Sequence, residues 1–437
     1  MLRSLGLLDA ISMVVGIILG SGIFVAPAAV AQLTANVPMA VGLWAVGAAV
    51  AGFGALCYAE CGARLPEDGG FFVFFARAFD WRWAFVAGWA ALLVSYPTSL
   101  AGVAAMGAQY LGAAVPALRG HERAFSLVAV SAAALLNVGG LELGRLAQRA
   151  MTFAKLASIV SVLSAALWVA WHRASPMPLA PPAPASGVGG AALVLQVLAT
   201  LMWTYDGWTD ITMVAGEVTE PAKNLPRAVL LSLLVLLGIY AMVQAAVMVL
   251  LGPAAAGHDR VLALALGQAF GGHSESVMGW LVLLATLGSL PGLMFATSRL
   301  ALAMAERGAI SPWFARLDGD EHVPRRAIAG VWALSFVYVL AGSFAELLEM
   351  FSLVIWLFYG ATAVALVRLR RAGVGAGIDG YGAFGRLAPF VLMAAACAMT
   401  GLQFAEHAGR ALAVLSALGA ARVALGRRAR PAAPLDA

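Results

Sequence analysis

Three stretches carry groups that an apolar chain does not need for packing. The first is Gly16-Ile17-Ile18-Leu19-Gly20-Ser21-Gly22-Ile23-Phe24, where two glycines flank a serine inside a run, Ala10 to Ala59, that has no charged side chain. The second is Trp203-Thr204-Tyr205-Asp206-Gly207-Trp208-Thr209-Asp210, which sets two aspartates and a glycine between apolar segments. The third is Lys155, the only charge between Arg149 and His172. Each reads in two ways. Glycine costs about 1 kcal/mol against alanine inside a helix. A Gly-Ser-Gly step therefore either lets a neighbouring helix approach closely, or breaks the helix so that bare amides and carbonyls hold a polar ligand. Asp206 and Asp210 either mark the end of a helix or are functional, as ionisable groups inside a membrane span are by default. Lys155 falls five or six residues into its expected span, ~8 Å deep at 1.5 Å per residue. It either snorkels back to the interface or serves a site.

The remaining chemistry is excluded by spacing. His121, His172, His258, His273, His322 and His407 fall in expected loops or at span ends, and none forms an H-E-x-x-H pair. No serine occupies a G-x-S-x-G elbow, and Gly20-Ser21-Gly22 lacks the lysine of a phosphate loop. Cys57 and Cys61 share a helix face without a further ligand beside them, which suits packing rather than metal. The sequence thus points away from an enzyme, and no cofactor or metal is expected.

The elements that must position these groups are membrane helices. Of the 437 residues, 62% are hydrophobic and only 11% charged, where a soluble domain carries about 25% charged. Twelve spans are expected, at 8–31, 39–62, 84–111, 124–141, 150–171, 190–216, 227–251, 276–304, 327–344, 347–367, 387–404 and 408–425, in one membrane domain covering 1–437. With the N-terminus in the cytoplasm, the inside segments hold 21 of the 27 Lys and Arg and the outside segments five, Lys155 lying within a span. That asymmetry predicts cytoplasmic termini, and it makes the net charge of +5 a matter of topology and lipid rather than of nucleic acid. Residues 65–82, with five phenylalanines and a Pro-Glu-Asp-Gly-Gly turn, read as an amphipathic segment on the cytoplasmic surface or as an aromatic belt. Glycine-containing interruptions in spans 1 and 6, five apart, are the layout of two inverted halves with a substrate site between them. That layout favours a carrier over a channel.

These stretches, taken together, resemble the amino acid–polyamine–organocation superfamily, in its branch related to L-type amino acid transporters. The resemblance rests on Gly20-Ser21-Gly22-Ile23-Phe24, on Glu60 to Gly70 with Ala76-Arg77-Ala78-Phe79 and Gly88-Trp89, and on Tyr205-Asp206-Gly207-Trp208 leading to Gly216-Glu217-Val218-Thr219-Glu220-Pro221 and Asn224-Leu225-Pro226-Arg227-Ala228. It ends with Ser298-Arg299-Leu300 and Ala303-Met304-Ala305-Glu306-Arg307-Gly308. It implies an all-α, LeuT-type five-plus-five inverted repeat, with 8–171 and 190–367 as the halves and 387–425 as two accessory helices. It also implies an amino acid bound between broken helices 1 and 6. Amides around Gly20, Ser21 and Gly22 would take the α-carboxylate; carbonyls near Ile18, Trp203 and Asp206, beside Gly207, would take the ammonium. Trp203 matches the aromatic gate.

Lys155 matches the span-5 lysine of sodium-independent members, either as a fixed structural cation or as a proton carrier. Asp206 stands where L-type members often have glycine, which raises cationic substrates, proton coupling, or a carboxylate that simply faces water beside the site. A span-7 tyrosine that reaches the span-1 break aligns here with Val247, with Tyr240 two turns earlier, so that contact is in question. The resulting expectation is sodium-independent transport of small or neutral L-amino acids across the cytoplasmic membrane, as an exchanger. The alternatives are a proton-coupled or cationic amino-acid or polyamine carrier and, from another class, a non-transporting sensor. Animal L-type members pair with a single-span glycoprotein through a disulfide; the loop 112–123 has no cysteine, so no such heavy chain is expected.

Overall fold

The computed structural model describes residues 5–425, apart from 21, 35, 140, 173–189, 259, 319–322, 343 and 379–380. Ser21 therefore lies outside the described residues. The chain is helical, and the β pairings among the described residues are two isolated bridges, Leu5 with Val218 and Asp318 with Val323.

The first expected span is two helices, α1 (Leu7–Ile18) and α2 (Ala26–Leu33), separated by a single 3₁₀ turn at Gly22–Phe24. Pro27 in the first turn of α2 costs nothing there, because that N–H has no helical partner. Helix α3 (Val37–Arg64) follows, capped by the Asn36 side chain on Met39 N. The third span is α5 (Trp81–Ala90) and α6 (Tyr96–Ala114), joined by a π turn at Ala91–Ser95 and preceded by the short α4 (Phe71–Ala78). Next come α7 (Glu122–Val138) and α8 (Leu141–His172). The sixth span is α9 (Gly190–Thr204) continued by 3₁₀ turns over Asp210–Glu217. Then follow α10 (Pro221–Leu251), the additional helix α11 (Val261–Phe270), and the eighth span as α12 (Gly272–Leu287) and α13 (Leu290–Glu306). The chain closes with α14 (Arg325–Ala341), α15 (Phe344–Arg371) and α16 (Gly382–Leu425).

Polarity runs inside-out relative to a soluble protein. Leu135, Leu167 and Trp171 are 69%, 70% and 84% exposed, while Lys155 and Gln244 are buried to 1% and 0%. Apolar surface of that kind is stable only in hydrocarbon. Among the described residues, Val37–Arg64, Trp81–Leu111, Pro221–Leu251, Ser276–Glu306 and Gly382–Ala405 are each long and apolar enough to cross a bilayer. This is a multi-pass membrane protein.

Three expectations need correction. Residues 387–425, expected as two helices, belong to the uninterrupted α16. The stretch Phe404-Ala405-Glu406-His407-Ala408 has neither proline nor paired glycine to turn the chain. The phenylalanine segment does form a helix, α4, but not one lying on a surface. Phe71, Phe72, Phe74 and Phe75 are all buried, and Phe71 stacks on Phe358 of α15 with ring centroids 4.7 Å apart. The four phenylalanines share one half of the helix, and the other sides are closed by Val73 and Ala76, which are buried as well, so residues 71–76 are enclosed rather than half-exposed. Third, α8 begins nine residues before its expected start, placing Lys155 some fourteen residues from the helix end, ~21 Å along the axis. The side chain is buried inside the protein, so it does not snorkel to the interface.

Candidate functional site

The break in α1 can be followed bond by bond. Leu19 N–H still reaches back to Val15 O at 2.8 Å, but Gly20 N–H turns to Ile18 O at 2.7 Å. Gly16 O thereby loses the donor a continuous helix would supply. Lys155 Nζ donates to it at 2.5 Å and to Ser289 Oγ at 3.1 Å. Ser289 sits at the junction of α12 and α13, where Gly288 and Pro291 interrupt the eighth span. One ammonium group thus ties the break in α1 to α8 and to the interruption of the eighth span.

The second break lies against the first. Gly207 has φ +116°, a conformation that ends α9 and strains any other residue. A Cβ there would come within 2.8 Å of Ile17 Cγ2, and one on Gly22 within 2.6 Å of Thr204 Cα. The glycines expected to weaken the helices also let the two breaks touch. Gly22 N–H opens a 3₁₀ turn, so no amide bond inside that turn uses it.

Tyr240, rather than a residue at 247, makes the contact to both breaks. Its hydroxyl stands 3.1 Å from Ile18 O and 3.3 Å from Thr204 O, whereas Val247 is buried among apolar neighbours. The Ile18 carbonyl, expected to take a substrate ammonium, thus already faces the Tyr240 hydroxyl and Gly20 N–H. Trp203 O is approached by Asp206 N–H at 3.2 Å. A second layer went unread in the sequence. Gln244 accepts from Trp44 Nε1 at 3.0 Å, and Tyr205 OH donates to Trp44 O at 3.2 Å. The signal for Gln244 was present: it is the single amide in the apolar run of α10 beyond Ser232.

Between Trp203 and Asp210 only Trp203 and Asp206 keep partial exposure. The Asp206 carboxylate accepts the Tyr359 hydroxyl of α15. Asp210 accepts that of Tyr96, the first residue of α6 after the π turn, at 3.3 Å. The rings of Trp208 and Tyr359 pack 4.9 Å apart, with Tyr58 edge-on to both.

On the face that carries the N-terminus, several contacts join the segments that flank the breaks. Leu5 pairs with the segment after the second break, through Leu5 N–H to Glu217 O at 3.0 Å and Thr219 N–H to Leu5 O at 2.9 Å. Glu217 is bridged to Arg299 of α13 at 3.1 Å, and Glu67 contacts Arg307. Asp68, in the turn before α4, accepts Gly216 N–H at 3.0 Å. Burial, with the Glu217 carboxylate beside it, pushes the Asp68 carboxyl up to about 6, against the opposing pull of Gly216 N–H and Arg299. The end of α3 is fixed separately: buried Glu60 accepts from Arg370 at 2.6 and 2.8 Å and from Arg64 at 2.9 Å. Arg64 in turn donates to Val374 O at 2.6 Å and Ile378 O at 3.0 Å. The cysteines carry no bridge: Cys57 and Cys61 are buried in α3 and Cys397 is exposed.

A family model described as amino acid permease matches residues 5–407, taking in both breaks and Lys155. The chain is 26% identical to the b(0,+)-type amino acid transporter 1 of Mus musculus, over 84% of this chain and 76% of that protein. It is 27% identical to the Asc-type amino acid transporter 1 of the same species, over 84% and 70%. To the large neutral amino acids transporter small subunit 2, also of Mus musculus, it is 28% identical over 84% and 70%.

Proposed function

The chain belongs to the amino acid permease family, and on that premise we propose that it is a sodium-independent exchanger of L-amino acids working by alternating access. It is an amino acid transporter and not an enzyme, as its family and relatives are. The observation that carries the sodium-independent reading is Lys155 Nζ on Gly16 O. The carboxyl end of a half-helix is the negative pole of its dipole, where a cation is stabilised. Here the cation is covalently part of the chain. A carrier whose positive charge never leaves has no ion gradient to spend at that position, so a substrate returning the other way is the natural partner for each turnover.

The substrate's zwitterionic head fits the two breaks. Its α-carboxylate lies at the amides of Gly20, Ser21 and Gly22, the positive end of the second half-helix. Its α-ammonium lies at the carbonyls of Trp203 and Asp206, next to Gly207, with the carbonyl of Ile18 as a third acceptor once Tyr240 yields it. Trp203, partly exposed beside Asp206, is the gate. A five-plus-five inverted repeat with halves at 8–171 and 190–367 is part of this reading, and the two breaks in the first and sixth spans support it. The carrier sits in the cytoplasmic membrane with both termini inside, as the Lys and Arg asymmetry indicates. It works without a disulfide-linked heavy chain. For the side chain the sequence points to small or neutral residues. Asp206 qualifies that expectation, because it sets a carboxylate at the edge of the same site.

The test is uptake of a labelled amino-acid panel into proteoliposomes that are empty, preloaded with amino acid, or under an imposed proton gradient. Entry only into preloaded vesicles is the expected result. Entry into empty vesicles driven by protons would replace exchange with symport.

A further inference from the structure

Away from both breaks, α3 and α15 end side by side, and a buried ion cluster joins them. The Glu60 carboxylate, enclosed at the end of α3, receives a two-point fork from Arg370 of α15, Nε at 2.8 Å and Nη2 at 2.6 Å. Arg64, one turn after Glu60, adds its Nε at 2.9 Å. A fork of that kind fixes orientation as well as distance. Both arginines also hold backbone beyond α15. Arg370 donates to Gly385 O in the first turn of α16 at 2.8 Å, and Arg64 to Val374 O and Ile378 O. The loop is moulded on the Arg64 side chain: Gly375 has φ +67°, and a Cβ there would come within 3.0 Å of Arg64 Cα.

Electrostatics explains how such a cluster can be buried. One carboxylate meets two guanidiniums, but α3 and α15 both present their carboxyl ends here. Each end is the negative pole of a helix dipole, worth about half a unit charge. The cluster is thus satisfied by the chain itself, and removing one member strands the others.

What the cluster fixes is the setting of α15 on α3. Eleven residues before Arg370 on the same helix stands Tyr359, about 16 Å away at 1.5 Å per residue. Eleven residues make just over three turns, so the two side chains leave α15 within about 20° of each other, on one face. Tyr359 is the residue of α15 that donates to the Asp206 carboxylate at the second break. Its ring packs against Trp208, at 4.9 Å, and against Tyr58 of α3, at 5.9 Å. Tyr58 stands two residues before Glu60. The same two helices therefore meet twice, once beside the second break and once at the ion cluster. A slip or rotation of α15 at the cluster would carry Tyr359 off Asp206.

We propose that Glu60, with Arg370 and Arg64, is a positioning residue for transport: the cluster sets α15 on α3 and so holds the Tyr359 hydroxyl on Asp206 at the edge of the substrate site. This role rests on the amino-acid transport reading, in which the second break takes the substrate's head group.

The test is a double-mutant cycle on KM, measured in preloaded proteoliposomes with the labelled amino acid of the panel that the wild-type chain exchanges fastest. Melting temperatures are taken on the same preparations. Glu60→Gln sets two guanidiniums against no carboxylate. Arg370→Lys keeps the charge and loses only the fork, so it carries the test if Glu60→Gln does not fold. Each should raise KM about fivefold in the wild-type chain. Tyr359→Phe removes the hydroxyl that the cluster positions. In that background Arg370→Lys should raise KM by less than about twofold, although residues this far apart ordinarily act independently. A fivefold rise in both backgrounds would overturn the proposal. So would KM at the wild-type value in the cluster variants, whatever their melting temperatures, since that is the mark of a purely structural cluster. Either result would leave amino-acid transport standing. Transport of no amino acid by folded wild-type protein would overturn the transport reading and this role with it.

Discussion

Lys155 Nζ donates to Gly16 O across 2.5 Å, and Gly16 O is the carbonyl that α1 leaves behind when Gly20 N–H turns to Ile18. A break made by two glycines is thereby completed by a lysine 139 positions away. Replacing Lys155 with alanine strands that carbonyl and Ser289 Oγ in the interior, at about 1–3 kcal/mol for each buried polar group left unpaired. We expect Lys155→Ala to lower the melting temperature in detergent and to reduce exchange at least tenfold, of the order such a loss implies. Wild-type exchange rates in Lys155→Ala would show that the ammonium is dispensable.

The two glycines of the first break should differ in tolerance. A Cβ on Gly22 meets Thr204 Cα at 2.6 Å, a backbone atom that cannot step aside, whereas one on Gly20 meets Ser289 Oγ at 2.7 Å, the end of a side chain that rotates. Gly22→Ala is expected to cost about 1–3 kcal/mol of overpacking and to abolish uptake. Gly20→Ala should retain a measurable fraction, at the expense of the Ser289 contact to Lys155. Equal activity in the two variants would contradict this packing.

Tyr240→Phe removes the one hydroxyl that reaches both Ile18 O and Thr204 O. The expected loss is about 1–2 kcal/mol, read as a lower melting temperature together with a lower uptake rate, since both breaks lose the same support. A variant with unchanged melting and unchanged rate would show that the hydroxyl holds neither break.

The contact of Asp68 with Gly216 N–H should respond to acid. Asp68 rises from 3.8 to about 6, by burial first and then by the charge of Glu217. An unfolded aspartate titrates near 4. Between about 4 and 6 the folded protein therefore binds the additional proton, so this residue's contribution to stability increases as pH falls through 6 and is lost as pH rises above it. Asp68→Asn keeps an oxygen for Gly216 N–H and removes the titration. Melting curves of the two proteins at pH 7.5 and pH 5 should differ in pH dependence, with Asp68→Asn the flatter. Parallel curves would place the titration elsewhere.

Much of this was legible because glycine, charge and apolar length act locally. Gly20, Gly22 and Gly207 were readable as candidate breaks, with close helix packing as the competing reading, because glycine weakens a helix and also lets a neighbour approach. The cost of burying a charge left snorkelling open for Lys155, and its functional reading came from the resemblance to the span-5 lysine of sodium-independent members. What was not legible depends on partners distant in the chain. The Tyr240 bridge needs α10 rotated toward α1, and a register two turns from the expected one hid it. The enclosure of α4 is set by Phe358, nearly three hundred residues later. The continuity of α16 escaped because a run of apolar residues longer than one bilayer invites division by length alone, whereas its helix-forming middle holds no breaker. Asp210 was noticed as a charge, but its tyrosine partner lies on α6 beyond a π turn that residue types do not announce.

The most direct measurement is the initial rate of amino-acid exchange in preloaded proteoliposomes, taken in sodium buffer and in choline buffer at the same ionic strength. With Lys155 fixed on Gly16 O, the two rates should agree. A rate that rises with sodium and saturates would mean that a free cation works in this carrier, and the central assignment would be wrong.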